Sequence, residues 1–565
     1  MTTLVARPQR TRHAGRRQQS TALAHQRLML LMLVFMAVGL VIAGRIIAMS
    51  LITENTVSDP SKAAGIVARG DIVDRNGAVL ARTIEAWSVG VHPNKLLGDP
   101  AVIAPQLARL MPERTEEQYL AILKSGVTFV YLRRRAMPEL VAAVNALGEP
   151  AMAYAREPER LYPQTTLAAH VLGYTSFEGK GVMGMERVLN DRLTDPFSRS
   201  TPVALSIDSR VQAAMESELS AAMVDLRAIG ATGLVLDVHT GEVIAMVSLP
   251  VFNPNKIGQA DPQSLRNNVT QSVYELGSTF KPITMANAID TGTITNLARR
   301  YDATAPISIG QFKISDDHPQ RRWLNVPETL VHSSNIATAR IADELGQAKT
   351  EAMFNKLGFH EPPHIELRER GGTLWPQYWG RVTTMTVAYG HGIAVTPLHL
   401  ASAYASLVNG GIWRPATLMK VAPGQGAKGR RIISENTSRI MRQLLRMVVT
   451  EGTGKKAEAI GFRVGGKTGT AEKPGVGGYS KTVNVSTFAG VFPMDAPKYV
   501  VIAMLDSPKG SAISAGQTTA AWTAAPVVSK VIARTGPMLG VYPDSSREVD
   551  LSDMMPLLWK PKGER

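Results

Sequence analysis

From Leu28 to Gly44 the chain reads LMLLMLVFMAVGLVIAG, and every residue in the run is apolar or small. After Arg45 the apolar character resumes as IIAMSLI, ending at Ile52. Few folds can absorb such a run. A helix from Leu28 to Ile52 would be roughly 37 Å long at about 1.5 Å per residue, against a hydrocarbon core of about 30 Å. Arg45 sits near one end, where its side chain can reach the headgroups. The first 50 residues hold seven arginines and no Lys, Asp or Glu. The positive-inside rule therefore predicts residues 1–27 as a cytoplasmic basic arm, 28–52 as a single transmembrane helix, and the remainder outside the cytoplasm. A buried core helix is one alternative for the run. A cleaved leader, with small residues at Ala48-Met49-Ser50, is another. A basic arm can also serve nucleic acid, but beside this run it argues for the membrane, and no nucleic-acid partner is expected.

The body of the chain has globular composition, 44% hydrophobic and 19% charged, with length enough for two or three domains. Cysteine is absent, which excludes disulfides, thiolate zinc sites and a thiol nucleophile. H-E-x-x-H is also absent and the histidines are scattered, so neither a metal nor a cofactor is expected. Asn76-Gly77 between two alternating apolar runs predicts a hairpin. Residues 95–150 carry helical spacing. A second module begins near Thr201, with two strands around His239-Thr240-Gly241 and helical stretches at 279–291, 326–345, 380–409 and 435–450. Strands return in FRVGGKTGTAEK, VSTFAGVFPM and KYVVIAMLDS, followed by an Ala-rich helix near 517–534 and a loose tail. Strands, then helices, then strands predict an α+β fold: a central antiparallel sheet with a helical cluster packed on it.

Three short motifs bear chemistry. Ser278-Thr279-Phe280-Lys281 is the only Ser-x-x-Lys in the chain. On a helix, residues i and i+3 share a face, so hydroxyl and amine come within reach of each other. Pro282 predicts that the helix starts at about Ser278, since proline is tolerated only in a first turn. Ser333-Ser334-Asn335 follows, flanked by apolar helical segments. Ser434-Glu435-Asn436 has the same pattern but reads as a helix cap. The third motif, Lys467-Thr468-Gly469-Thr470, lies in a stretch from Gly461 that fits the phosphate-loop expression G-x-x-x-x-G-K-[ST]. A phosphate loop needs a helix at its Lys-Thr. Here glycines and a proline follow instead, so the segment reads as a strand whose glycines allow close backbone approach.

Ser-x-x-Lys, Ser-x-Asn and Lys-Thr-Gly in this order resemble the penicillin-recognising serine transferases. Arg69 to Gly77, RLYP, HVLGY and Gly181-x-x-Gly184-x-Glu186 resemble the pedestal of class B penicillin-binding proteins. AYGHGIAVTPLHLASAYASLVNGG and EGTGKKA resemble its transpeptidase domain. The chain departs from the family pattern with Leu276 where proline is usual and His399 where glutamine is usual. The resemblance implies a pedestal (dimerisation) domain at 60–198, a β-lactamase-like transpeptidase domain at 201–540 and a tail at 541–565.

It further implies serine acyl transfer on the D-Ala-D-Ala end of peptidoglycan stem peptides, blocked by β-lactams. Ser278 would be the nucleophile, Lys281 its base and Ser333 a proton relay. Asn335 would orient Lys281 and the substrate amide. Lys467, Thr468, Gly469 and Thr470 would hold the terminal carboxylate, with Ser278 and Thr470 N–H groups as the oxyanion hole. The short arm, single anchor and compact pedestal resemble the division-specific branch, implying a septal role beside a membrane-bound glycan polymerase and other division proteins. An elongation-specific transpeptidase, a β-lactamase, and a penicillin sensor or division scaffold are the alternatives.

Overall fold

The computed structural model describes residues 27–43, 45, 68–310, 312–475 and 478–559. Residues 27–43 are helical and exposed throughout. The arm 1–26 and most of the expected span beyond residue 43 lie outside the described residues. No helix among those described is long and apolar enough to cross a membrane. From residue 67 the chain divides into two compact units, one of residues 85–157 and one of 67–84 with 158 onward.

In the first unit, helices Pro100–Leu110 and Glu116–Leu123 pack on strands. Asp99 caps the first helix by accepting the Ala101 N–H, and Thr115 with Gln118 forms a capping box on the second. The core comprises Val89, Val91, Leu107, Met111, Tyr119, Leu132 and Val144. The helical spacing expected over 95–150 fails at Val130–Ala136, which is a strand pairing antiparallel with Trp87–Val91. Its run of three arginines hides an alternation in which Leu132 and Ala136 are buried.

The second unit opens on the expected hairpin turn. Gly77 takes a φ of 90° there, and Asp74 holds the turn by accepting the Asn76 and Ala78 N–H groups at 2.8 Å. The other Asp74 oxygen accepts from Ser209 N and Oγ, capping helix α1 (Ser209–Asp225). Three motifs spread over more than 100 residues converge on one carboxylate. Glu186 is fully buried. It accepts from Arg69 Nε at 2.9 Å, Arg160 Nε at 2.6 Å and the Tyr162 hydroxyl at 3.4 Å. Two guanidiniums around one carboxylate are tolerable out of water only because each is hydrogen-bonded again: Arg69 to Gly179 and Glu186 carbonyls, Arg160 to the Gly70 carbonyl.

The sheet follows: β1 (Gly230–Asp237) and β2 (Val243–Leu249), then after the helices β3 (Gly465–Gly475), β4 (Gly478–Phe492) and β5 (Tyr499–Asp506). Their order is β3-β4-β5-β1-β2, antiparallel throughout. This is the expected α+β architecture, with β3 at an edge. One face packs on α1 and α7 (Ala524–Thr535); the other meets the helical cluster. The cluster comprises α2 (Lys281–Asp290), α3 (Val326–Val331), α4 (Asn335–Leu345), α5 (Pro397–Val408) and α6 (Glu435–Thr450). The span of α6 and its Ser434 cap are as the sequence predicts. Two expected continuous helices are broken. The stretch 326–345 parts at His332-Ser333-Ser334, and 380–409 parts where Gly390 and Gly392 adopt positive φ.

His399 replaces the amide of a capping box in α5. Its Nδ1 accepts from Thr396 N at 3.3 Å and its Nε2 donates to the Glu361 carbonyl at 3.1 Å. Burial lowers its pKa to about 4, so the neutral ring does the work of a glutamine. The tail is not loose through residue 559. Gln443 donates to the Asp550 carbonyl, Asn325 to that of Leu557, and Trp559 N to Glu328, while the Arg322 guanidinium lies 5.0 Å from the Trp559 ring centroid. The hydrogen bonds among these contacts each join a side chain to backbone, which no periodicity in the tail announces.

Glu186→Ala is expected to destabilise the second unit by about 3–5 kcal/mol, because it strands two buried guanidiniums without a countercharge. A denaturation midpoint unchanged from the unaltered protein would show that the cluster is not what holds 67–84 and 158–198 in place.

Candidate active site

Ser278 stands in a 3-10 turn, Gly277–Phe280, that runs straight into α2. The sequence predicts a helix from about Ser278; the α-helix proper starts at Lys281, with Pro282 in its first turn. The turn is held from several sides. Thr279 Oγ1 donates to the Leu276 carbonyl at 2.8 Å, and the buried Tyr404 hydroxyl donates to the Thr279 carbonyl at 2.8 Å. Leu276, the departure from proline, supplies that carbonyl and is itself buried. At Gly469 a Cβ would lie 2.5 Å from the Leu276 carbonyl oxygen. Edge strand β3 thus closes onto the turn at a distance only glycine permits.

Across from this turn the chain leaves α3 and enters α4 through Ser333, whose φ of 58° is left-handed. Lys281 is fully buried. Its Nζ donates to the Ser333 backbone carbonyl and lies 3.1 Å from Ser333 Oγ. Lys467, also fully buried, reaches the same Oγ at 2.9 Å from the β3 side. It further donates to Thr468 O at 3.0 Å and Thr468 Oγ1 at 3.2 Å. One hydroxyl therefore lies between two amines. Burial pushes Lys281 down to about 7, although Asp316 and Asp317 pull it back up. Burial, and then the neighbouring Lys281 charge, lower Lys467 as well. Two full charges this close in a dry site repel each other strongly. Hydrogen bonding favours Lys467 as the cation, since three oxygens meet its three ammonium hydrogens. Lys281 is then left with a lone pair.

Sequence reasoning missed several supports. Ser334 Oγ donates to Asp316 at 2.8 Å and accepts from Ala337 N, while Asp316 also accepts the Ile336 N–H at 2.9 Å. Asp316 thereby fastens its loop to the start of α4. Nothing in the sequence marks it, for it comes 17 residues before the motif it supports. Asn335 donates to the Ser315 carbonyl at 2.9 Å. Among the described residues no hydrogen bond joins it to Lys281, the partner expected of it. Instead it anchors the Asp316 loop. Thr468 meets Thr453 Oγ1 at 2.9 Å, and Thr470 Oγ1 accepts the Ala520 N–H at 3.0 Å. The sequence marks the loop containing Thr453 through EGTGKKA but gives no role for that residue.

The structure thus brings Ser278, Lys281, Ser333, Lys467, Thr468, Gly469 and Thr470 to one edge of the sheet. Ser278 lies one turn before a buried amine of lowered basicity, and the Ser333 hydroxyl lies between that amine and Lys467. This arrangement can support covalent acyl transfer. No group of His, Cys, Asp and Glu that could hold a metal occurs among the described residues.

Comparisons with known proteins cover most of the chain. The family model for the penicillin binding protein transpeptidase domain matches residues 231–532, and that for the penicillin-binding protein dimerisation domain matches 66–201. The chain is 39% identical over 492 residues to a probable peptidoglycan D,D-transpeptidase FtsI of Caulobacter vibrioides, covering 84% of this chain and 82% of the relative. It is 26% identical over 519 residues to the peptidoglycan D,D-transpeptidase FtsI of Escherichia coli K12, covering 86% of each. Among solved structures, penicillin binding protein 3 of Mycobacterium tuberculosis complexed with aztreonam is similar with a TM-score of 0.66 and 25% identity, covering 84% of this chain and 98% of that one.

Gly469→Ala is expected to cost about 1–3 kcal/mol by overpacking, because the new Cβ meets the Leu276 carbonyl and Thr279 Cγ2, 2.5 and 2.7 Å away. Chemical denaturation measures it. Unaltered stability would show that strand and turn are not pressed together.

Proposed function

The chain belongs to the penicillin-binding proteins, and we propose that it is a serine-type peptidoglycan D,D-transpeptidase that cross-links stem peptides in septal wall synthesis and is acylated by β-lactams. The observation that carries this reading is the buried Lys281 amine, its basicity lowered to about 7, one helical turn from Ser278 and 3.1 Å from Ser333 Oγ. A serine hydroxyl is a weak nucleophile near neutrality and needs such a base.

Ser278 Oγ attacks the carbonyl of the penultimate D-Ala while Lys281 takes its proton. The oxyanion that forms is held by the N–H groups of Ser278 and Thr470, each such donor typically contributing ~3 kcal/mol. Ser333 can accept from both amines at once. Its own hydrogen is then directed away from them, toward the departing nitrogen, and Lys281 replaces it. The terminal D-Ala leaves as an amine, and the amine of a second stem peptide attacks the ester, returning a proton to Ser278. Lys467, Thr468 and Thr470 hold the terminal carboxylate. A β-lactam acylates Ser278 in the same way, but its ring-opened leaving group stays attached.

We also propose that residues 28–52 anchor the chain in the cytoplasmic membrane, with the arm inside and the catalytic unit outside. The uncharged run, the all-arginine arm and the exposed helix over 27–43 support this. The reaction joins peptides, not sugars, so a membrane-bound glycan polymerase is the partner it requires.

Ser278→Ala is expected to abolish labelling by fluorescent penicillin while the protein stays folded; full labelling of that variant sinks the nucleophile assignment. The unprotonated amine is the base, so acylation should quicken as pH rises through about 7, the Lys281 value. The slope below it should be roughly tenfold per pH unit, with a plateau above. Stopped-flow acylation from pH 5.5 to 8.5 measures this, and a rate that falls with rising pH would remove Lys281 from the base role.

A further inference from the structure

A carboxylate offers only lone pairs, so any hydroxyl that binds it must donate its single hydrogen. The hydroxyls of Thr468 and Thr470 are each caught by other partners, and those partners decide where the hydrogens point. For Thr470 the partner is a backbone N–H, that of Ala520 at 3.0 Å. A peptide N–H can only donate, so it occupies a lone pair and leaves the Thr470 hydrogen to turn elsewhere. For Thr468, Lys467 Nζ fills one lone pair at 3.2 Å. The remaining contact is Thr453 Oγ1 at 2.9 Å. If Thr468 donated to Thr453, its hydrogen would be lost to the site. If Thr453 donates, both Thr468 lone pairs are filled and its hydrogen faces the substrate.

Thr453 is held for this by its own loop. It lies between two glycines, and a Cβ on Gly452 would come within 2.6 Å of the Val331 carbonyl at the end of α3. Gly454 N donates to the Val448 carbonyl of α6 at 2.9 Å. The loop is thus wedged between the helix that ends at the Ser333 turn and the helix that precedes β3. Thr453 is half-buried, and its hydroxyl meets that of Thr468.

We propose that Thr453 is a positioning residue for carboxylate recognition: by donating to Thr468 it fixes the Thr468 hydroxyl as a donor to the carboxylate of a stem peptide or β-lactam. The proposal rests on the transpeptidase reading, and it adds a residue that acts through Thr468 without touching substrate.

The test compares second-order acylation constants for benzylpenicillin and its neutral methyl ester, which differ in the charge, and by one methyl, at the group Thr468 would meet. The unaltered protein should favour the acid. In Thr453→Val the acid-to-ester ratio should fall about tenfold, the loss expected when a hydrogen bond to a charged group is misdirected. Thr453→Ser should restore the ratio. Thr453→Ala carries the same expectation as Thr453→Val and serves if the branched side chain disturbs folding. A ratio unchanged in these variants, with both constants falling together, would overturn the proposal in favour of a merely structural role. Failure of Thr453→Ser to restore the ratio would overturn it too. Equal acylation of the unaltered protein by acid and ester would overturn carboxylate selection yet leave the transpeptidase reading standing. No acylation by either compound would overturn the transpeptidase reading itself.

Discussion

The second unit is organised around a charge problem: two lysine amines, both buried, directed at one serine hydroxyl. Lys281 and Lys467 each lie within about hydrogen-bond reach of Ser333 Oγ, at 3.1 and 2.9 Å. In water such a pair would separate and solvate. Here neither can, because Lys281 is fixed by α2 and Lys467 by β3. Burial lowers the basicity of both, and the neighbouring Lys281 charge lowers that of Lys467 further. One amine is thereby released as a base near neutrality, while the other remains an electrostatic anchor. The surrounding structure keeps this arrangement from relaxing. Ser333 is held in a left-handed conformation, Asp316 ties its loop to the start of α4, and β3 presses against the Ser278 turn through Gly469.

Elsewhere in this second unit buried titratable groups are held by hydrogen bonds. Glu186 is held between Arg69 and Arg160, far along the chain from Ser278. His399 stays neutral and takes an amide's part in a helix cap. Histidine at this position departs from the family pattern. In the structure it is a conservative exchange, since both side chains offer one acceptor and one donor at similar reach.

The sequence was most legible where chemistry and local geometry coincide. Ser278 and Lys281 share a helical face whatever surrounds them, and Lys467-Thr468-Gly469-Thr470 lies in a strand because the glycines and proline after it forbid a helix. The edge position of β3 disposes of the nucleotide-loop match, for no helix N-terminus stands at Lys467 to receive a phosphate. Legibility failed where a segment's role depends on a distant partner. The arginines of 130–136 concealed a strand. Apolar spacing ran through 326–345 and 380–409 without showing their breaks. The tail's packing depends on contacts with distant segments, both apolar and hydrogen-bonded.

The sequence by itself determined the sheet-and-helix class, the three motifs and their order, and the family they resemble. The class and the motifs follow from backbone preference and spacing, which act over a few residues, and the resemblance rests on the motifs taken in order. Tertiary structure alone decided that Asn335 binds the Ser315 carbonyl instead of Lys281, that Asp316 supports the Ser333 turn, and that Thr453 and Ala520 meet Thr468 and Thr470. Each of those is a directional contact between segments brought together only by folding. A hydrogen bond requires its donor and acceptor to be placed within a few tenths of an ångström, and no local pattern in the chain carries that information.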